Sequence, residues 1–205
     1  MPKLLFSLVL LLSLSAASSA KTLLVLGDSL SAGYGIGPTE GWVSLLQQSF
    51  SDSARKDAPH KIVNASVSGE TSGGALARLP ALLSAHSPDI VIVELGGNDG
   101  LRGHAIKILR QNLSQIVHLS REAGAKPLLL GMQIPPNYGQ RYTKQFTQVY
   151  SDLAEAESLP LVPFFLDKVA LRTEWMQADG IHPRAEAQPQ LLNNVLPHLT
   201  PLLAP

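Results

Sequence analysis

Short apolar runs alternate along this chain with longer stretches whose apolar residues recur at helical spacing. Thr22-Leu23-Leu24-Val25-Leu26 reads as a fully buried strand that stops at Gly27, and Trp42, Leu45 and Leu46 then recur as on one helical face. Lys61-Ile62-Val63-Asn64 is a second, weaker strand, followed by a helical stripe of Leu76, Leu79, Leu82 and Leu83. Ile90 to Leu95 is the strongest strand signal, and the amphipathic stretch after it carries Ile106, Leu109, Leu113, Ile116, Val117 and Leu119. Pro127 to Leu130 predicts a fourth strand; Phe146, Val149, Tyr150 and Leu153 the next helix; and Leu161-Val162-Pro163 a short fifth strand. Ala185 to Leu199 predicts a last helix, interrupted or kinked near Pro189, because proline brings no N–H to the helical ladder.

Strands alternating with helices at this spacing predict a three-layer α/β/α sandwich around a central five-stranded parallel sheet. There is no internal repeat, low-complexity tract or linker, so one domain is expected. In open parallel sheets ligands bind beyond the carboxyl ends of the strands. Ser29 follows the first strand, Gly69 the second and Asn98 the third, which places all three on that rim.

The first residues should not count toward the domain. Lys3 gives a positive start, Leu4 to Leu14 is almost wholly apolar, and Ser18-Ser19-Ala20 supplies small residues before Lys21. That is the layout of a secretory signal peptide over 1–20, cleaved after Ala20, with the domain over 21–205 and a periplasmic or secreted location. The apolar core is too short for a bilayer crossing, which needs about 20 residues, so no stable membrane anchor is expected. The chain has no cysteine, which excludes both a lipidated cysteine and any disulfide. Without Lys3 the charges are 15 basic against 16 acidic, so no basic excess points to nucleic acid.

Three separated segments carry candidate chemistry. They are Gly27-Asp28-Ser29-Leu30, Gly96-Gly97-Asn98-Asp99 and Asp179-Gly180-Ile181-His182. Ser29 is a poor nucleophile unless a base takes its proton. His182 suits that task, since imidazole titrates near neutrality and can return the proton to a leaving group. Asp179, three residues earlier in a glycine-containing turn, can reach the other ring nitrogen and fix the tautomer. Asp28 reads as an organiser of the turn and Asp99 as a loop or helix-start acceptor. His60, His86, His118 and His198 read as surface groups, and His104 receives no role.

Competing motifs are missing. Position 31 is serine, so the Gly-x-Ser-x-Gly elbow is absent; Gly33, Gly35 and Gly37 lack dinucleotide-loop spacing; and neither a phosphate loop ending in lysine nor His-Glu-x-x-His occurs. No cofactor and no metal are expected.

The segments resemble the blocks of the SGNH, or GDSL, hydrolases, and most closely the bacterial thioesterase I/protease I/lysophospholipase subgroup. The likeness rests on Leu26-Gly27-Asp28-Ser29-Leu30-Ser31-Ala32-Gly33-Tyr34, on Glu94 to Gly103, on Trp175-Met176-Gln177, and on Asp179-Gly180-Ile181-His182-Pro183. It implies a flavodoxin-like fold and a serine esterase acting on carboxylic esters and thioesters, including aryl esters, acyl-CoA and lysophospholipids, through an acyl-enzyme. It further implies an oxyanion hole built from the backbone N–H of Ser29, the backbone N–H of Gly69 and the amide of Asn98. Leu101 and Ile134, in the loops after the third and fourth strands, are the candidate acyl-chain contacts. A monomer acting on a small acyl substrate is expected. Two alternatives stay open: a carbohydrate acetylesterase on the same scaffold, and a secreted lipid-binding module with an idle site.

Overall fold

The computed structural model describes residues 20–52 and 60–204. The expected signal segment lies almost entirely outside the described residues. The strands are β1 (Thr22–Gly27), β2 (Lys61–Asn64), β3 (Ile90–Glu94), β4 (Lys126–Leu130) and β5 (Leu161–Val162). The helices are α1 (Ser29–Ala32), α2 (Trp42–Asp52), α3 (Ser72–His86), α4 (Gly97–Leu101), α5 (Ile106–Glu122), α6 (Gln140–Glu157) and α7 (Gln188–Leu203).

All five strands pair in parallel in the order β2-β1-β3-β4-β5. Helices α2 and α7 pack together on one face of the sheet, and α3, α5 and α6 lie side by side on the other. The three-layer α/β/α sandwich expected from the sequence is thus the fold, with flavodoxin-like strand order. Burial explains the strength of each strand signal. β3 is buried at every position and reads as Ile-Val-Ile-Val, as a central parallel strand should, whereas β2 is an edge strand with no buried residue. β5 ends at Val162, one residue before the expected boundary at Pro163.

Two expectations need correction. Pro189 neither breaks nor kinks the last helix. It sits in the first turn of α7, where a missing N–H costs nothing, and a 3-10 turn over Ala185–Ala187 leads in. His60 is not a free surface group: its Nδ1 accepts the Lys21 N–H at 3.0 Å, and its ring meets Phe50 edge-on.

Beyond β1 the chain forms β2 on one side of it, then crosses back to form β3 on the other. That reversal opens a crevice at the carboxyl ends of β1 and β3. Beneath it the fold buries two carboxyl groups. Gly27 and Glu94 are register partners, and a Cβ on Gly27 would lie 2.8 Å from Glu94 Oε2. That oxygen accepts from the Ser31 hydroxyl at 2.8 Å and from the Asp28 N–H at 3.2 Å. Trp42 Nε1 in turn donates to Ser31 Oγ at 3.2 Å. Burial, and then the nearby Asp28, hold the Glu94 carboxyl well above its usual range. Burial also lifts Asp28 to about 6, against the opposing pull of the Leu30 N–H and the Asn98 amide.

A carboxyl that holds its proton more tightly folded than unfolded adds stability at low pH. The contribution disappears as pH rises through the folded value. Asp28 should therefore make the fold lose on the order of 2–3 kcal/mol between about pH 4 and pH 6. Chemical denaturation of wild type and Asp28→Asn across that range checks this. The wild-type curve should descend relative to the variant, and parallel curves would remove Asp28 from the account.

Candidate active site

Ser29 is the first residue of α1, directly beyond β1. Asp28 caps that short helix by accepting the Leu30 N–H at 3.0 Å, so the turn fixes the direction of the Ser29 side chain. Asp28 is only 2% exposed, and its second oxygen accepts Asn98 Nδ2–H at 3.0 Å. Asp28 thus organises the turn, as read from the sequence, and also ties the turn after β1 to the turn after β3.

His182 reaches the serine from the far end of the chain. Its Nε2 stands 2.8 Å from Ser29 Oγ and its Nδ1 stands 2.7 Å from Asp179 Oδ2. An ionised carboxylate can only accept, so Nδ1 carries the proton and Nε2 is left to accept from the serine hydroxyl. The supporting loop is locally closed. Asp179 Oδ1 accepts the N–H groups of Ile181 and His182 at 2.9 and 3.0 Å, and Gly180 takes the left-handed conformation that the turn requires, with φ 67°. Partial burial pushes Asp179 upward, but the bonds from the His182 N–H, its ring and the Ile181 N–H outweigh this and lower it to about 2. Asp179 is therefore an anion throughout the neutral range.

Asn98 lies in α4, entered through Gly96 at φ 109°. A Cβ there would sit 2.1 Å from the Tyr150 hydroxyl, so this close approach depends on glycine. Tyr150 uses that hydroxyl to bond the Leu95 carbonyl at 2.9 Å, which pins the entry to the helix. Gly69 is in the exposed loop after β2, also with positive φ, and Arg102 Nη2 donates to its carbonyl at 2.9 Å. Buried Asp99 accepts from the N–H and hydroxyl of Ser72 at 2.8 and 2.6 Å. Two bridges thus hold the Gly69 loop against the Asn98 helix.

Ser29, Asn98 and His182 open onto a cavity of about 230 Å³. Leu101 and Ile134 both line it, and Met132, Leu166 and Ile181 add to its apolar wall. The structure brings Ser29, Asp179 and His182 into one hydrogen-bonded chain and sets Asn98, Leu101 and Ile134 at its edge. Gly69 stands outside the cavity lining, on the loop that Arg102 holds.

Several contributors went unread. Tyr34, 53% exposed, lays its ring over His182 with centroids 4.6 Å apart. It fell inside a quoted block, but no spacing rule announces a ring contact with a histidine 148 positions later. Gln177 bonds the Tyr34 carbonyl at 2.8 Å and the Pro183 carbonyl at 3.2 Å, joining the two loops. Leu166 had no signal, since it comes from an irregular segment after β5. His104 sits 3.6 Å from buried Asp99, on the outer side of α4, and stays outside the serine-centred chain.

The chain matches the GDSL-like Lipase/Acylhydrolase family over residues 25–188. It is 53% identical over 193 residues to Esterase TesA of Pseudomonas aeruginosa, covering 94% of both chains. It is 46% identical over 196 residues to thioesterase 1/protease 1/lysophospholipase L1 of Escherichia coli, covering 96% of this chain and 91% of that one. A crystal structure of TesA superposes with a TM-score of 0.84 at 54% identity, covering 89% of this chain and 99% of the other. The chain is a hydrolase and belongs to the GDSL-like lipase/acylhydrolase family.

Proposed function

We propose that the chain, once residues 1–20 are removed, is a secreted or periplasmic serine esterase that cleaves carboxylic esters and thioesters through an acyl-enzyme. The observation that carries this reading is the unbroken pair of short bonds from Asp179 through His182 to Ser29. Ser29 Oγ attacks the acyl carbon as its proton passes to His182 Nε2. The carbonyl oxygen becomes an oxyanion beside the Ser29 N–H, the Gly69 N–H and the Asn98 amide. One amide hydrogen of Asn98 is held by Asp28, which leaves the other to aim at that oxygen. The His182 imidazolium then protonates the departing oxygen or sulfur. In the second half, water attacks the acyl-serine with His182 again acting as base, and Ser29 recovers its proton.

The apolar cavity beside Ser29 suits an acyl chain, and the names of the relatives, esterase and thioesterase/lysophospholipase, cover leaving groups from alcohols to thiols. Export favours esters over acyl-CoA as natural substrates, because CoA thioesters are cytoplasmic metabolites. Among the described residues no helix is long and apolar enough to cross a membrane. The substrate is a small acyl compound, and the catalytic unit is a monomer.

An organophosphonate ester should add one phosphonyl group to Ser29, read by intact mass and peptide mapping, and Ser29→Ala should stay unmodified. An unlabelled wild type would remove the nucleophile and return the lipid-binding alternative. Asn98→Ala should keep the wild-type circular dichroism while kcat drops by about 10²–10³. An unchanged kcat would take Asn98 out of the hole. Exchanging both Leu101 and Ile134 for alanine should move the optimum in a p-nitrophenyl ester series to longer chains, and an unmoved optimum would place the acyl chain elsewhere.

A further inference from the structure

The loop that carries Asp179 and His182 borders two cavities. Ile181 and His182 line the acyl cavity, whereas Gln177 and Arg184, at the two stems of the loop, line another of about 400 Å³. Gly35, Gly37 and Glu40, from the segment after α1, complete that second cavity. Tyr34 connects the two, since its ring lies over His182 and the next residue lines the second space.

We propose that this second cavity is a subsite for the zwitterionic headgroup of a lysophospholipid, with Arg184 binding its phosphodiester and Glu40 its ammonium. The proposal rests on the esterase reading above and deepens it by naming the leaving group. The imidazolium of His182 must deliver its proton to the leaving oxygen, so the leaving group departs alongside His182 and away from Asn98. The exposed Tyr34 ring lies on that path, and the glycerol passes over it toward Arg184. Arg184 Nε donates to the Met176 carbonyl at 2.7 Å, which fixes the side chain, while neither Nη group meets an acceptor among the described residues. A guanidinium held by one nitrogen with its outer pair free is already shaped for two phosphate oxygens. Glu40 is held as well: its Oε2 accepts the Gly37 N–H at 2.6 Å, which anchors the carboxylate at the rim. One cation and one anion in the same cavity match a headgroup that carries both charges. They suit the polyanionic phosphates of coenzyme A poorly, since Glu40 repels them.

The test compares kcat/KM for palmitoyl-lysophosphatidylcholine, below its micelle threshold, with kcat/KM for p-nitrophenyl palmitate on the mature protein. In Arg184→Gln the ratio of lysophospholipid to aryl ester should fall about tenfold, mainly through KM, and Arg184→Lys should recover only part of it, because an ammonium keeps the charge and loses the fork. Glu40→Gln should lower the ratio for lysophosphatidylcholine and leave it unchanged for lysophosphatidylglycerol, which has no ammonium. An unchanged ratio in Arg184→Gln overturns the subsite. So does an equal loss on both esters, which would mark Arg184 as a structural tie to Met176. An equal fall in the ratio for palmitoyl-CoA overturns the assignment to a headgroup, because any phosphate would then serve. A wild type that cleaves the aryl ester but not the lysophospholipid overturns the subsite and leaves the esterase reading standing. A wild type inert to both, with Ser29 unlabelled by phosphonate, overturns the esterase reading itself.

Discussion

The site depends on β1 and β3 being hydrogen-bonded neighbours although β2 and α3 separate them in the chain. Their register sets Gly27 beside Glu94, so the turns that follow, Asp28-Ser29 and Gly96-Gly97-Asn98, emerge side by side. The absent Cβ of Gly27 leaves room for the Glu94 carboxyl, and that carboxyl accepts the Asp28 N–H. Asp28 then reaches across to Asn98. A one-residue slip between these strands would turn Glu94 out to the opposite face and break the link. Ser29 and Asn98 thus share one base built on the strand ends, and their spacing does not rely on loop ordering.

Asp28 and Asp179 are both within one hydrogen-bonding step of the reacting groups, yet the protein drives them in opposite directions. Burial holds the proton of Asp28 until about pH 6, against the pull of the two N–H groups that it accepts. Asp179 lies near solvent and takes three hydrogen bonds from Ile181 and His182, which hold it ionised down to about pH 2. A permanent anion at Asp179 keeps the proton on His182 Nδ1. Above about pH 6 Asp28 is charged as well, and it then holds one hydrogen of the Asn98 amide more strongly while the other is left over for the cavity.

Legibility followed periodicity and local motif. The buried strands β1 and β3 announced themselves because a sheet covered on both faces selects unbroken apolar runs, and α5 did so through its single apolar stripe. The loop of Asp179 and His182 was readable because its partners are three residues apart, so local geometry suffices. Pro189 misled because its effect depends on position: the same residue that breaks a helix interior is harmless in a first turn, and only the preceding 3-10 turn sets that position. His60 misled because its neighbours Lys21 and Phe50 are close in space alone. The contact of Tyr34 with His182, the bond of Arg102 to Gly69 and the place of Leu166 in the cavity wall are likewise products of tertiary assembly. No pattern along the chain encodes them.

Under the proposed function, the division of labour among loops lets one centre serve unlike leaving groups. The parts that the proposed acyl transfer needs exact, Ser29, the Asn98 amide and the cavity wall, are built on turns that leave the strand ends and on the buried network below them. The base arrives separately, on a loop held to the rest by Gln177 and the contact with Tyr34. The stems of that loop border a second cavity of about 400 Å³, which the proposed mechanism leaves to the departing alcohol or thiol. Binding energy gained there acts on the leaving group only and does not disturb the acyl chain. With the proposed subsite and acyl cavity, specificity for headgroup and for chain length can change independently, one through the stems of the base loop and the other through the loops after β3 and β4.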